Sequence, residues 1–579
     1  MVSRSLIAFD TDHIKSYVFG TSKLKEIRGA SSILDHLNRQ ATVQKAESED
    51  FKATTIYANG GSALFLINSD KAELLGKAVQ KLYREETGAG ASITYAIQDI
   101  PDTYLSQPQG IMTVEMPEVL ELLRYRLRLA KDGQHTNNSH KQRDTNTSQE
   151  QHSAGGYIAL PSHPFLCTCN SCGIAYAEDT RLDNDDPEEP EGRYCRICVG
   201  KRDEDKEVRT HISDAISVAA RSGEVSDKTL WGRVLQAVNR QEPPQKPMKP
   251  KYHLPPRTQR PKDFNAFRDF TRGKEYLGLI YADANGMGKA LEKETSLQKV
   301  QDFAKLVDDA AFTAMAYAIC LYLPVQHQTR PVQQDTFPFD VLLVGGDDIA
   351  MVVPADKALQ VAYTLAEQFH NATNKKYTLS VGIVLAPVKY PFNLQRELAD
   401  ETLKDAKKSG SASNVSSDSE QEQSCVNFVV VTGNTSLSYE KVYQEMHLKS
   451  KYTDKTDEFY ATLRPYTLSN LHWLLEQLKK GNSERLGRTK LHQMRVAILK
   501  RNKTTTILEA LALLRNWKGT ERIFIRAMVD HLDNRQTRQQ RNMGTLFPWY
   551  LDSNSSSKEL TVYRTPLLDF IELYDFVSS

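Results

Sequence analysis

Apolar and polar positions along this chain change period in a fixed order, and the order occurs twice. Residues 4–10 (RSLIAFD) are an apolar run closed by Asp10, which predicts a buried strand. Helical spacing follows to about residue 48. Residues 54–67 form two runs about Gly60-Gly61 and predict a hairpin; 69–86 have helical spacing, and 91–97 predict a strand. Residues 276–386 repeat this. A strand runs to Asp283, a helical region to about 323, two apolar runs flank Gly345-Gly346, a helix covers 355–372 and a strand 377–385. Both copies read βαββαβ. From about residue 436 the pattern is helical, with apolar residues three and four apart over 468–480, 490–500, 504–517 and 522–532. Trp473, Trp517 and Trp549 are expected in the core.

Candidate chemistry concentrates in the second copy. Residues 341–353 read VLLVGGDDIAMVV, so Asp347 and Asp348 sit at the tip of two otherwise apolar strands. Carboxylates there are costly without a cation. Mg²⁺ suits them because it takes hard oxygen ligands and is shared with substrate phosphates. Gly345 and Gly346 remove side chains that would block a triphosphate. Taken alone, the tetrapeptide reads equally as a surface turn. Asp283 ends the strand YLGLIYAD, ahead of a turn holding Gly286 and Gly288 and a helix-like run. There it is placed for a phosphate-bound metal, with phosphates at the helix start; a helix N-cap is its plainer role. Carboxylates from two neighbouring strands are what two-metal nucleotidyl transfer requires. Aligned at the glycines, the first copy has Ser62 and Ala63 where the second has Asp347 and Asp348. It keeps Asp10, with Asp12 nearby. Its segment 23–32 (KLKEIRGASS) offers cations and the hydroxyl of Ser31 to a phosphate or base, or is a solvated helix face.

Five of the seven cysteines lie between Cys167 and Cys198. Cys169-x-x-Cys172 and Cys195-x-x-Cys198 read as a four-thiolate Zn²⁺ ribbon with a folding role, and Cys167 is left as a spare. Cys320 and Cys425 are expected in the core. The predicted class is therefore α+β: two ferredoxin-like palm domains, an intervening zinc ribbon with helices, and a C-terminal helical bundle. The divisions are 1–110 (first palm), 111–155 (helix and disordered loop), 156–265 (zinc ribbon and helical linker), 266–435 (second palm) and 436–579 (helical domain). Residues 131–155 and 409–424 are polar and aperiodic and read as loops, and 240–262 as an extended connector. Lys407 and Lys408 end a helical run at 398–408, near a triphosphate's outer charge or simply complementing the helix dipole.

Bulk numbers add limits. A chain of 579 residues exceeds one core. Its formal net charge of +1 gives no global attraction to nucleic acid. No apolar run long enough for a membrane span occurs, and acids arrive too early for a secretory leader, so the cytoplasm is expected.

With these motifs in hand, the chain resembles the large palm-containing subunit of type III CRISPR effector complexes, in its Cmr-type form. The resemblance rests on Asp10 with KEIRGAS ending at Ser31, the paired knuckles, Asp283 followed by Met287-Gly288-Lys289, and Gly345-Gly346-Asp347-Asp348. The second palm is also similar to those of GGDEF-type cyclases. The resemblance implies two ATP molecules between the palms. The 3′-hydroxyl of one attacks the α-phosphorus of the other, and closure gives a cyclic oligoadenylate messenger of antiviral defence. Asp283, Asp347 and Asp348 would hold two Mg²⁺ or Mn²⁺ ions. Gly286, Gly288, Gly345, Gly346, Ser31, Ser62 and Lys407 or Lys408 would contact nucleotide. Guide RNA, effector subunits and target RNA are the implied partners. Two departures stand out. Asn285 replaces a second acid that many members carry two positions after Asp283. No His-Asp pair occurs, so the family's optional HD nuclease is expected to be absent. A non-catalytic scaffold subunit and a free-standing defence cyclase are the alternatives.

Overall fold

The computed structural model describes the chain apart from residues 1–2, 108–109, 141–166, 183–190, 223–224, 226, 242–251, 272–273, 329–333, 413–421, 434–437, 453–454, 501, 518, 535–546, 553–555, 557–559 and 578–579. β1 (Arg4–Asp12), β2 (Thr54–Asn59), β3 (Ser62–Asn68) and β4 (Ser92–Asp99) form an antiparallel sheet in the order β2-β3-β1-β4. Side chains alternate across a strand. Leu6 and Ala8 therefore join Leu64, Leu66 and Ala96 on one face, under Leu120 and Leu123 of the helix Pro117–His140. On the other face Phe9 meets Phe65 and Tyr95. Both faces are covered, which is why β1 reads as an unbroken apolar run rather than an alternation. The helix Ser69–Glu86 buries Ala72, Leu75, Gly76, Val79 and Tyr83, one stripe at helical spacing. A side chain at Gly76 would lie 2.4 Å from the Tyr95 ring, so glycine lets this helix close on the sheet.

β5 (Asp179–Leu182) and β6 (Glu191–Tyr194) make a two-stranded ribbon that leads into the helix Arg196–Ser222. The later strands are β7 (Tyr276–Ala284), β8 (Gln326–Gln328), β9 (Gln334–Thr336), β10 (Asp340–Gly345), β11 (Asp348–Pro354), β12 (Leu379–Pro387), β13 (Cys425–Val430), β14 (His447–Tyr452), β15 (Lys455–Tyr460), β16 (Tyr466–Thr467), β17 (Tyr550–Leu551) and β18 (Leu560–Arg564). A six-stranded sheet has the order β10-β11-β7-β12-β13-β16. Its first four members repeat the strand order of the first sheet, with the helices Leu297–Tyr322 and Ala358–Ala372 in the matching connections. The duplication read from hydrophobic periodicity is thus also a duplication of topology.

By contacts the chain divides into two compact units. One holds Met1–Phe264, Gly286–Met351 and Gln368–Tyr377; the other holds Asn265–Asn285, Val352–Glu367 and Thr378–Ser579.

Three expectations need correction. Residues 131–140 are not loop: the helix Pro117–His140 runs through them, and 141–155 lie outside the described residues. The loop expected at 409–424 starts late, because the helix Phe392–Ala412 continues into it; 413–421 are outside the described residues. The C-terminal region is not helical throughout. Beside the helices Leu468–Ser483, Arg488–Ile498, Lys503–Asn516 and Thr520–Asn534 it contains a sheet in the order β14-β15-β18-β17. Its strands HLKSKY and KTDEFY lack an apolar run. They are held instead by cross-strand ring pairs, His447 on Tyr460 at 4.2 Å and Phe459 on Tyr563 at 4.8 Å. The connector expected at 240–262 begins at Arg240, the last residue of the helix Leu230–Arg240, and 242–251 are outside the described residues. Trp473, Trp517, Trp549 and Cys425 are buried as expected; Cys320 is half-buried. Among the described residues no helix is long and apolar enough to cross a membrane.

Candidate functional site

Two glycine hairpins meet tip to tip. In the first, Asn59 pairs with Ser62 across a two-residue turn of Gly60 (φ 60°) and Gly61 (φ 87°), the left-handed geometry glycine adopts at little cost. In the second, Gly346 (φ 70°) and Asp347 link Gly345 at the end of β10 to Asp348 at the start of β11. Counted from the strand ends, Ser62 takes the place of Asp348 and Gly61 that of Asp347. The register is therefore one residue off the alignment made at the glycines, because the first turn uses both of its glycines and the second only one. Ser62 lies opposite Asp10 on β1. A Cβ at Gly60 would stand 2.9 Å from the Gly345 carbonyl oxygen, and one at Gly346 3.6 Å from the Gly60 Cα. At Gly60 only bare backbone fits against the other tip, while at Gly346 a Cβ would make ordinary contact. Gly60→Ala is expected to cost about 1–3 kcal/mol, from a left-handed φ and a backbone clash, measured as the shift in a urea unfolding transition.

A cavity of about 340 Å³ opens beside the tips, lined by Ser31, Asp35, Asn38, Arg39, Gly60, Gly61, Gly345 and Asp348 over the apolar Ile14, Leu34 and Leu343. The helix Leu24–His36 supplies one wall. Ser31 is buried and its Oγ has no hydrogen-bond partner among the described residues. Asn38 Oδ1 accepts from Thr11 Oγ1 (3.0 Å) and from the Tyr83 hydroxyl, which fixes the amide and leaves Nδ2 as a donor. Asp35 is held by Arg39 (3.1 Å) and Arg233, and Arg39 in turn grips Asp308 with two bonds of 2.8 and 2.6 Å. In the neighbouring segment Lys23 and Lys25 are half-buried, whereas Arg28 and Glu26 are buried, so Arg28 forms no solvated face and is not open to a phosphate.

Asp283, at the end of β7, accepts an ion pair from Lys407 of the helix Phe392–Ala412 at 2.5 Å. It lies opposite Ser380 on β12. It caps no helix: the short helix Met287–Glu292 starts from Gly286 in left-handed geometry (φ 66°). Gly288 faces open space. Lys408 is exposed, so of the two candidate lysines only Lys407 reaches the acid. The first copy has the same device. Lys131, in the helix that follows its sheet, lies 2.5 Å from Asp10 and 3.8 Å from Asp12. Burial raises the Asp10 carboxyl above its ordinary pKa, against the lowering effect of Lys131. Asn285 is buried; its Nδ2 donates to Thr378 Oγ1 (2.9 Å) and to the Gln423 carbonyl (3.3 Å). That side chain ties the strand end to the next strand.

The Sγ atoms of Cys169, Cys172, Cys195 and Cys198 lie within 4.8 Å of one another, and three of these cysteines are buried. Four soft thiolates converging in this way fit one tetrahedral Zn²⁺ with no open position. Cys167 is outside the group, exposed, with Arg193 donating to its sulfur at 2.9 Å.

Sequence reasoning missed Asp35, Asn38, Arg39 and Lys131. The first three lie beyond the recognisable motif, on the same helix and the turn of chain after it. Their role comes from the cavity, which no spacing reveals. Lys131 fell in a segment whose polar composition masked a helix.

With this geometry in place, residues 276–415 match the model of the second palm domain of the Cas10/Cmr2 family. Over that segment the chain is similar to the Cas10/Cmr2 palm family. A relative in Mycobacterium tuberculosis, described as the CRISPR system single-strand-specific deoxyribonuclease Cas10/Csm1 of subtype III-A, is 30% identical over 155 residues, 25% of this chain and 19% of that protein. CRISPR system Cmr subunit Cmr2 of Pyrococcus furiosus is 22% identical over 156 residues, 24% of this chain and 18% of its own length. The matched segments span less than a fifth of each curated relative's length. Among solved structures, a Csm1–Csm4 cassette in complex with pppApA superposes with a TM-score of 0.52 at 14% identity, covering 100% of this chain and 70% of the other. A Csm1–Csm4 cassette in complex with cA4 gives 0.51 at 13%, covering 99% and 69%. At that identity the likeness is one of fold.

Proposed function

We propose that this chain is a divalent-metal-dependent nucleotidyl cyclase of type III CRISPR defence, which joins ATP molecules into cyclic oligoadenylate. Both copies are read as ferredoxin-like palms, the first at 1–110 and the second at 266–435. The observation that carries the reading is the pairing of two hairpin tips, bare of side chains, above a cavity that ends at Asp348. Asp347 and Asp348 are proposed to act together with Asp283.

These carboxylates fit hard cations. Asp283 already draws an ammonium to 2.5 Å, and a doubly charged ion competes for the same oxygen. Two Mg²⁺ or Mn²⁺ ions held by Asp283, Asp347 and Asp348 would activate the attacking hydroxyl and neutralise charge on the phosphates. The protein's share is placement. Gly345 and Gly346 let phosphates approach the backbone, and Gly286, Gly288 and Ser62 stand at the strand ends. The cavity offers a base the Ser31 hydroxyl and the Asn38 amide over an apolar floor. Lys407 would pass from Asp283 to the outer phosphates. Zn²⁺ in the four-cysteine cluster is structural. Guide-RNA effector subunits and target RNA are the proposed partners, and the cytoplasm the proposed compartment.

The deciding experiment incubates purified chain with labelled ATP and Mg²⁺ or Mn²⁺, alone and with target RNA and its effector subunits. A cyclic or linear oligoadenylate that disappears on EDTA treatment supports the reading. No product under any nucleotide, metal or RNA condition leaves a scaffold. Lys407→Ala should raise the KM for ATP about tenfold with a smaller change in kcat, since a charged hydrogen bond contributes roughly 1.5–3 kcal/mol. Initial rates against ATP concentration read this out.

A further inference from the structure

We infer that zinc occupancy of the four-cysteine cluster sets the shape of the cavity beside the hairpin tips, and so controls nucleotide binding there. The inference rests on the nucleotide reading of that cavity. The link is a continuous chain of part-buried contacts. Ser171 sits inside the first knuckle, between Cys169 and Cys172, and its Oγ donates to Glu26 Oε1 at 2.5 Å. Arg202, nearly two turns into the helix that the second knuckle opens, donates to the same oxygen at 2.6 Å and to Ser171 Oγ at 3.1 Å. Its guanidinium lies over the ring of Tyr194, next to Cys195. Glu26 is fully buried, so its charge depends on these donors.

Glu26 belongs to the helix Leu24–His36, which carries Ser31, Leu34 and Asp35 into the cavity wall. The two helices touch backbone to backbone. A Cβ at Gly29 would lie 1.7 Å from the Lys201 carbonyl oxygen. Ser32 donates to Glu204 at 2.6 Å, and Lys201 Nζ donates to the Tyr17 carbonyl at 2.6 Å. No slack remains for the Arg196–Ser222 helix to shift while its neighbour stays still. Loss of the ion releases both knuckles, because four clustered thiolates repel one another. Ser171 then withdraws, the first turn of the Arg196–Ser222 helix loosens, and Glu26 keeps a buried charge with fewer donors. The cheapest relief is for the Glu26 end of the wall helix to move outward, and that alters the cavity.

The test uses the full chain, loaded with zinc or stripped by a zinc-selective chelator, with metal content measured. Hydrogen exchange is followed in peptides spanning 24–39, in 167–200, and in 379–387 as a control, and binding of a fluorescent ATP analogue is measured in parallel. Stripping should speed exchange in 24–39 at least about tenfold and weaken the analogue about tenfold, with 379–387 unchanged. Protection retained in 24–39 while 167–200 opens would overturn the coupling. Should stripping unfold the control as well, Ser171→Ala decides. That variant keeps its zinc, and severalfold faster exchange in 24–39 supports the link, whereas unchanged exchange refutes it. Failure of the analogue to bind the loaded chain would count against the nucleotide reading; the exchange data still judge the coupling.

Discussion

Asp347→Ala/Asp348→Ala is expected to abolish oligoadenylate formation, by at least about 10³-fold, while leaving the fold intact. The magnitude follows from what the two carboxylates would do. Metal ions in phosphoryl transfer stabilise several kcal/mol of developing charge, and a 10³-fold loss corresponds to about 4 kcal/mol. The tolerance follows from position. Both acids are half-buried at the end of a hairpin whose strands bury Val341, Leu342 and Val344 on one side and Ile349, Ala350 and Met351 on the other. The strands therefore need neither carboxylate to pack. The melting temperature should therefore fall by no more than a few degrees. The measurement pairs product analysis by chromatography with thermal unfolding of both proteins. A variant that melts like the parent and still makes product at near-parent rate would remove the second palm from the chemistry.

The duplicated βαββαβ order was legible because β1, β3, β7, β10, β11 and β12 are buried on both faces and so read as apolar runs, with glycines where the hairpins turn. The four-cysteine cluster was legible because paired Cys-x-x-Cys spacing states it directly. What stayed hidden depends on who touches whom. Arg28 read either as part of a phosphate-binding segment or as part of a solvated helix face, since a cation there has no visible partner in one dimension. Its partners, Asp205 and Asp340, lie far along the chain. Lys131 looked like part of a loop, and only the fold shows that it repeats for Asp10 what Lys407 does for Asp283. The β14-β15-β18-β17 sheet was missed because its pairing is aromatic and local to the sheet, with no apolar period to announce it.

Arg28→Met should destabilise the unit that contains it by about 3–5 kcal/mol, although it changes no residue of the proposed metal site. The Arg28 guanidinium is fully enclosed. Nε meets Asp205 at 2.8 Å, while Nη1 donates to Asp340 at 3.0 Å and to the Pro261 carbonyl at 2.7 Å. Burial pulls its pKa down, but Asp205 and Asp340 outweigh this and raise it overall, so the group is a permanent cation. Methionine fills similar volume and supplies no donor. Asp205 would keep Arg209 at 3.1 Å and Asp340 would keep Arg260 at 2.6 Å, so each acid retains one partner and loses one. That argues for the lower half of the range, because a buried carboxylate left wholly alone would cost more. Replacing Arg28 together with Asp205 and Asp340 by apolar residues should recover much of the loss, since desolvation is then no longer borne by unpaired charge. Urea denaturation of the single and triple variants separates the two outcomes. If the single variant loses under about 1 kcal/mol, Arg28 is not the cation that holds these segments together.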